Sequence, residues 1–286
     1  MDAHEFFEPD AGAYVRYVIG FALRYFAVAG GLYVLLNLWM RRRWLVYRVQ
    51  PTFPGRPEVG HEVLWSMSNA ACTGLSTLVL YQLIRDGHTR MYFEIGAYGW
   101  AYFAATVAFG VLSYDAWFYW QHRLLHTEWL YRHAHAIHHR VTNPTPLATF
   151  TSHPIETFMG NVFFLLLPVV VPIHPVAMGL VGLYIFLFGI LLHTGYEFFP
   201  AGFTRHPVLG WVNTSTHHNM HHALVRSNFG LCFNFWDWLV GTNDVAYHDT
   251  FDAIKARLVT TPAAPLGDYA ESPGGSPSRS PSSRNS

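Results

Sequence analysis

Charge is what this 286-residue chain has least of: Asp, Glu, Lys and Arg make up 13% of it and cancel to a formal net charge of zero. Soluble domains average about 25%. The shortfall argues against a soluble globular protein, and the missing basic excess excludes a nucleic-acid binder. Cysteine is scarce as well. Cys72 and Cys232, both in apolar surroundings, make neither a disulfide framework nor a thiolate metal site, so reduced thiols are expected. The opening MDAHEFFEPD is acidic and lacks the basic start of a signal peptide. A membrane-inserted chain of this kind would be targeted by its own first helix. No solenoid-period repeat and no second globular domain are legible.

What is present is apolar: 51% hydrophobic and 17% aromatic residues. The expected class is an all-α, polytopic integral membrane protein, with three spans plus a two-helix hairpin under a cytoplasmic, histidine-rich helical cap. The first span runs from about Tyr14 to Met40, interrupted only by Arg16 and Arg24, against the roughly twenty residues that a hydrocarbon core requires. Arg41, Arg42 and Arg43 stop it, with Arg48 behind, which puts that side in the cytoplasm. The loop QPTFPGRPEVG leads to a second span near Val63 to Ile84. The polar link of Arg85, Asp86, His88 and Arg90 leads to a third, Tyr98 to Trp120, ending in the interfacial aromatics WFYW. Turn-rich NPTPLATFTSHP precedes the hairpin. Its first helix starts at Pro154, with Glu156 in the first turn, and runs to about Val171; after Pro172, His174 and Pro175 its second helix returns to about Leu192. Residues 198–259 read as short helices of the cap, and the Pro/Ser/Gly composition of 260–286 reads as a disordered tail.

Histidine, 18 residues of it, is the chemistry-bearing type. His122 and His126 stand four apart; His135, His138 and His139 follow; the same spacing recurs as His218, His221 and His222. Residues at i, i+3 and i+4 share a helix face, so each group can aim imidazoles into one volume. A site rich in imidazole suits iron, zinc or copper. Eight imidazoles exceed one metal's four to six positions, so two metals are implied. By the count of crossings every group emerges at one membrane face. His193, in LLHTGYE at the end of the returning hairpin helix, arrives there too as a ninth ligand, and Glu197 is a further ligand or an acceptor orienting an imidazole. His217 lies off the helical face of its neighbours and is a possible ligand; His133 reads as a surface residue and His153 as a helix cap. His4, His61, His88, His174, His206 and His248 read as solvent or interface residues. Asp115, a carboxylate inside the third span, is expected to accept a hydrogen bond from a ligand imidazole.

HRLLH, HAIHH and HNMHH, in that order among hydrophobic spans, resemble the membrane fatty acid hydroxylase and sterol desaturase superfamily, whose members are histidine-box di-iron oxygenases. The likeness extends to DAWFYWQHRLLH, NPTPLATFTSHPIE, HTGYEFFP and NFGLCFNFWDWLVGT, covering roughly Ser113 to Thr242. Trp238 departs from the pattern, standing where many relatives have a basic residue. The resemblance divides the chain into N-terminal spans and loops (1–97), a catalytic domain (98–259) and the tail (260–286). It implies two iron ions, zinc being a possible replacement in purified form, with dioxygen as co-substrate. The implied reaction is hydroxylation or desaturation at a C–H site of a lipid from the bilayer, with His122, His126, His135, His138, His139, His193, His218, His221 and His222 as ligands. NPTPLATFTSHP is similar to sterol C5-desaturases and HTGYEFFP to C4-methylsterol oxidases, so a sterol-like substrate is favoured over a fatty acyl or sphingolipid chain. No heme segment is visible, which implies a separate electron donor of the cytochrome b5 or reductase type. The implied location is the endoplasmic reticulum of a eukaryote or the inner membrane of a bacterium. Two other classes compete. A metal transporter should carry ionisable residues deep along its spans, and a zinc membrane hydrolase needs only about three protein ligands; the crowding of histidines at one face counts against both.

Overall fold

Ten residues separate the start of the chain from its first long helix, which Asp10 caps by accepting the Ala13 N–H at 2.6 Å. The computed structural model describes residues 7–260. The expected tail therefore lies outside the described residues, save for Thr260 at the end of the last helix, and so does His4. Helix α1 (Ala11–Trp39) contains π-helical turns at Phe26–Gly30 and Val34–Trp39. Helix α2 (Arg56–Arg85) starts on Pro57 and Glu58, the residue types suited to a first turn. Helix α3 is Gly99–Leu125, and α4, residues 128–139, includes a π-helical turn at Tyr131–His135. Helices α5 (Pro154–Val170) and α6 (Pro175–Leu192) are capped alike: His153 Nδ1 accepts the Ile155 N–H at 3.2 Å, and His174 Nδ1 the Val176 N–H at 3.1 Å. Short helices α7 (Ser215–Leu224), α8 (Phe235–Val240) and α9 (Tyr247–Thr260) form the cap. Among the described residues there are no strands, only isolated bridges between Arg48 and Tyr196 and between Val212 and Phe233.

The chain is an all-α membrane protein. Helices α1, α2 and α6 are long and apolar enough to cross a bilayer. The third span expected at 98–120 differs. Helix α3 has 27 residues, ample length for a crossing, yet it is not among these three. Its buried positions, including Thr106, Asp115, Tyr119 and His122, carry polar groups toward α5, α6 and the cap. The second span also begins earlier than expected, because the first turns of α2 rise into the cap. There the buried Glu62 accepts the hydroxyl and the N–H of Thr145, and His61 Nε2 meets the Ile137 carbonyl at 3.0 Å.

These five long helices run between the same two ends. At one end Arg85 pairs with Glu8 at 3.2 Å, the Arg90 N–H donates to the Pro168 carbonyl, and Tyr102 donates to the Pro172 carbonyl. At the other, α3 and α6 finish and α2 and α5 begin, and every histidine box lies there. Helices approach closely where glycine permits. A Cβ on Gly110 would stand 2.6 Å from Val181 Cγ2, so α3 and α6 meet at a distance that only hydrogen allows. Arg48 also departs from its expected part. It is not a free cytoplasmic charge but is fully buried. It donates to the Gln50 carbonyl and to the side-chain oxygens of Asn37 and Asn143, and its guanidinium lies 5.0 Å from the centre of the Tyr196 ring. It ties the end of α1 to the loop that follows the second histidine box.

Candidate metal centre

Nine imidazoles converge above α3, α5 and α6, and they divide into two groups. His122, His126, His135, His139 and His221 form one; His138, His193, His218 and His222 form the other. Within each group the nitrogen atoms able to bind a metal all lie within 4.8 Å of one another. The division cuts through the boxes. His135 and His139, a full turn apart, face one group while His138 faces the other; His218 and His222 likewise share a group that excludes His221. A helix places i and i+4 on one face and turns i+3 partly away. Each box can therefore serve two neighbouring positions, and the groups touch where the His135 and His138 rings lie 5.2 Å apart.

Backbone carbonyls set which ring nitrogen faces inward. The Nδ1–H groups of His122, His138, His193, His221 and His222 donate to the carbonyls of Phe229, Thr151, Gly189, Ser227 and Val141 at 2.7–2.9 Å. His135 uses Glu156 Oε2 instead, at 3.0 Å. With the proton held on Nδ1, Nε2 is left as a bare lone pair pointing inward. The Nε2 atoms of His122 and His135 are 3.1 Å apart, and those of His193 and His218 are 3.0 Å apart. In the first pair both Nδ1 protons are tethered, so two lone pairs face each other and repel unless a cation lies between them. In the second, His218 Nδ1 has no partner among the described residues, and its Nε2 can donate to His193. Burial also disfavours protonation: it pushes His135 down to about 3 and lowers His221, where nearby His126 adds to the effect. The pocket thus favours the neutral, ligating form of these rings.

The supporting residues differ from expectation at Asp115, Glu197 and His217. Asp115 does not bond an imidazole; its Oδ1 accepts the N–H groups of Cys232 at 2.8 Å and Phe233 at 3.2 Å. Glu197 is not among the clustered ligands either. Its Oε2 accepts the N–H and hydroxyl of Thr216, so it fixes the first turn of the helix bearing the third box. His217 lies outside both groups, buried against the Tyr247 ring with Nε2 3.6 Å from Asp237. Two further acids to which the sequence reading gave no part in the centre, Glu156 and Asp237, are close to the histidines. Asp237 accepts the N–H groups of Phe229 and Gly230 at 2.8 and 2.7 Å, and the Phe229 carbonyl in turn holds His122. The signal for Glu156 was its helix-start position beside the boxes, read only as a capping charge. His133 stacks on Trp129 at the surface, and His153 caps α5, both as expected.

Beneath the imidazoles lies a cavity of about 680 Å³, walled by α1, α2, α3, α5 and α6. His122, His135, His138, His193 and His218 form its roof, so both groups face it. Its walls are largely apolar, among them Phe21, Phe164, Leu183 and Phe186, and Gly179 and Gly182 leave open space on the α6 side.

A membrane helix bundle with paired imidazole clusters over a largely apolar cavity defines the class. The family follows from comparison with known proteins. The fatty acid hydroxylase family profile matches residues 107–242, which contain every clustered histidine. The lathosterol oxidase of Rattus norvegicus is 31% identical over 189 residues, 65% of this chain and 61% of the relative. A Delta(7)-sterol 5(6)-desaturase of Gibberella zeae is 30% identical over 160 residues, 52% of this chain and 46% of the relative. A very-long-chain aldehyde decarbonylase of Oryza sativa subsp. indica is 32% identical over 149 residues, 50% of this chain and 54% of the relative. The chain thus spans less than two thirds of the length of these relatives. No solved structure matches it. Residues 107–242 thus match the fatty acid hydroxylase family, and the relatives support a place in the fatty acid hydroxylase and sterol desaturase superfamily.

Proposed function

We propose that this protein is a membrane oxidoreductase that holds two iron ions with its nine clustered histidines and uses dioxygen to oxidise a C–H site of a bilayer lipid. A sterol-like substrate of the C5-desaturase type is favoured, and the names of the lathosterol oxidase and Delta(7)-sterol 5(6)-desaturase relatives support that choice. The observation that carries the reading is the cavity roof, where imidazoles of both groups face a lipid-sized apolar space.

The donor spacing fits a metal of coordination number above four. Nearest Nε2 pairs, including His126 with His139 and His218 with His222, fall at 3.0–3.2 Å. With metal–nitrogen bonds of about 2.1 Å, a right angle at the metal gives about 3.0 Å between donors and a tetrahedral angle about 3.4 Å. Five imidazoles in one group also exceed the four ligands of a closed structural zinc site. Two irons bound there would supply the activation of dioxygen and the removal of hydrogen from an unactivated carbon.

The chain's own residues do the rest. Carbonyl-tethered Nδ1 protons keep the rings neutral and aimed, and Glu156 holds the proton of His135. The apolar walls exclude water and present one carbon of the lipid to the roof. Electrons would come from a separate donor of the cytochrome b5 or reductase type, docking at the end of the molecule that carries the boxes, which faces the cytoplasm in this reading. A fatty acyl or sphingolipid hydroxylase is the alternative within the same chemistry.

Metal analysis of protein purified without oxygen tests the centre: two irons per chain are expected, and one metal per chain, or zinc alone in active protein, would overturn it. Lipid profiling of a host expressing the wild type against His138→Ala would identify the substrate and separate hydroxylation from desaturation.

A further inference from the structure

The cavity is largely apolar, and one stretch of its wall gathers polar side chains from two helices. There α2 presents Asn69, Thr73 and Ser76, and α5 presents Thr157 and Asn161. Residues 69, 73 and 76 follow helical spacing, so one face of α2 is hydroxylated and amidated at membrane depth, where an unmatched polar group is costly. Most of this wall satisfies itself. Asn69 Nδ2 donates to Ser152 and Thr157 at 2.8 and 3.1 Å, and its Oδ1 accepts from the Thr73 hydroxyl at 3.4 Å. The Ser76 hydroxyl donates to the Cys72 carbonyl at 3.3 Å.

Asn161 is the exception. Its Nδ2 donates to both Thr73 Oγ1 at 3.1 Å and Ser76 Oγ at 3.2 Å. Because those hydroxyls spend their own protons on α2, they can only accept from Asn161, and this sets the amide's orientation. Both amide protons are used. The carbonyl oxygen, Oδ1, receives no hydrogen bond from the described residues and belongs to a residue lining the cavity. It is an oriented acceptor in an apolar space, a group that calls for a donor from the ligand.

We propose that Asn161 Oδ1 accepts a hydrogen bond from a hydroxyl of the lipid substrate and thereby sets which carbon lies beneath the histidine roof. The inference rests on the reading of the cavity as the substrate site. At 1.5 Å of rise per residue, Asn161 stands roughly 7–8 Å further along α5 than Glu156, which touches His135. The hydroxyl is thus held several bonds away from the carbon presented to the roof. Asn161 is a binding and positioning residue, and the substrate it selects is a neutral lipid alcohol, with the hydroxyl on a ring or at a chain end.

Binding of defined probes to the full chain in nanodiscs tests this without turnover. The probes are cholestanol against cholestane for the ring case and hexadecan-1-ol against hexadecane for the chain case. Wild type should prefer the alcohol of at least one pair by roughly tenfold, the effect of one buried hydrogen bond. Asn161→Leu should abolish that preference while leaving the hydrocarbon bound as well as before. The Thr73→Val, Ser76→Ala double variant frees the amide to rotate and should weaken the preference with Asn161 still in place. Equal binding of alcohol and hydrocarbon by wild type in both pairs, or a preference that survives Asn161→Leu, would overturn the proposal. Protein that keeps the preference yet oxidises no lipid would support Asn161's role while failing the function proposed above, so the two readings fall separately.

Discussion

His135 donates its Nδ1 proton to Glu156 across 3.0 Å, joining the second histidine box to the first turn of α5. Among the tethered imidazoles it is the one held by a carboxylate; the others described above use backbone carbonyls. A carboxylate acceptor makes the ring more electron-rich and fixes its tautomer. Glu156→Gln should therefore lower metal affinity or turnover by about 10–100-fold, the usual effect of losing such an outer partner. Metal content by mass spectrometry together with oxygen uptake reads this out; unchanged occupancy and rate would remove Glu156 from the site.

Asp237 acts at one further remove. Its carboxylate holds the Phe229 and Gly230 N–H groups, and the Phe229 carbonyl holds His122. Asp237→Asn turns an amide N–H toward one of those donors, at a cost of about 1–3 kcal/mol for a buried group left unmatched. A lower unfolding temperature and a loss of bound metal are expected together. A stable protein with full metal content would show that the loop does not depend on this acid.

Lone pairs facing each other at 3.1 Å, as between His122 and His135, whose Nδ1 protons are both tethered, make the metal-free protein strained at this point. Binding to the folded state alone stabilises by about 4 kcal/mol when free metal is a thousand times its dissociation constant. Chelation should thus lower the melting temperature by several degrees, and ferrous iron added without oxygen should restore it. A melting curve indifferent to chelator would contradict the centre.

Gly182 lines the cavity, and a Cβ there would meet nothing within 4 Å. Gly182→Phe should consequently fold and retain metal while filling the space meant for lipid. The expected result is a loss of lipid oxidation of tenfold or more with an unchanged melting temperature. Full activity would show that the substrate does not pass this wall. The contrast is Gly110, where a Cβ would stand 2.6 Å from Val181 Cγ2; Gly110→Leu should unfold the protein or part α3 from α6.

The membrane class, the hairpin and the nine clustered histidines were all legible in the order of residues. Apolar runs longer than a bilayer core admit few other folds, and i, i+3, i+4 spacing is local geometry that needs no tertiary knowledge. The tertiary structure alone decided how the histidines divide, five to one group and four to the other, because that depends on how α4 and α7 rotate against α3 and α6. It also decided what holds them. A carbonyl acceptor such as that of Phe229 or Thr151 has no side-chain signature, so no sequence pattern announces it. Asp115 was noticed as a carboxylate inside a span and Glu197 by its spacing from His193, yet their partners proved to be backbone N–H and threonine groups brought close only by folding. Asn161 is an ordinary amide in an apolar helix until α2 packs beside it, takes both of its protons and leaves its oxygen facing the cavity.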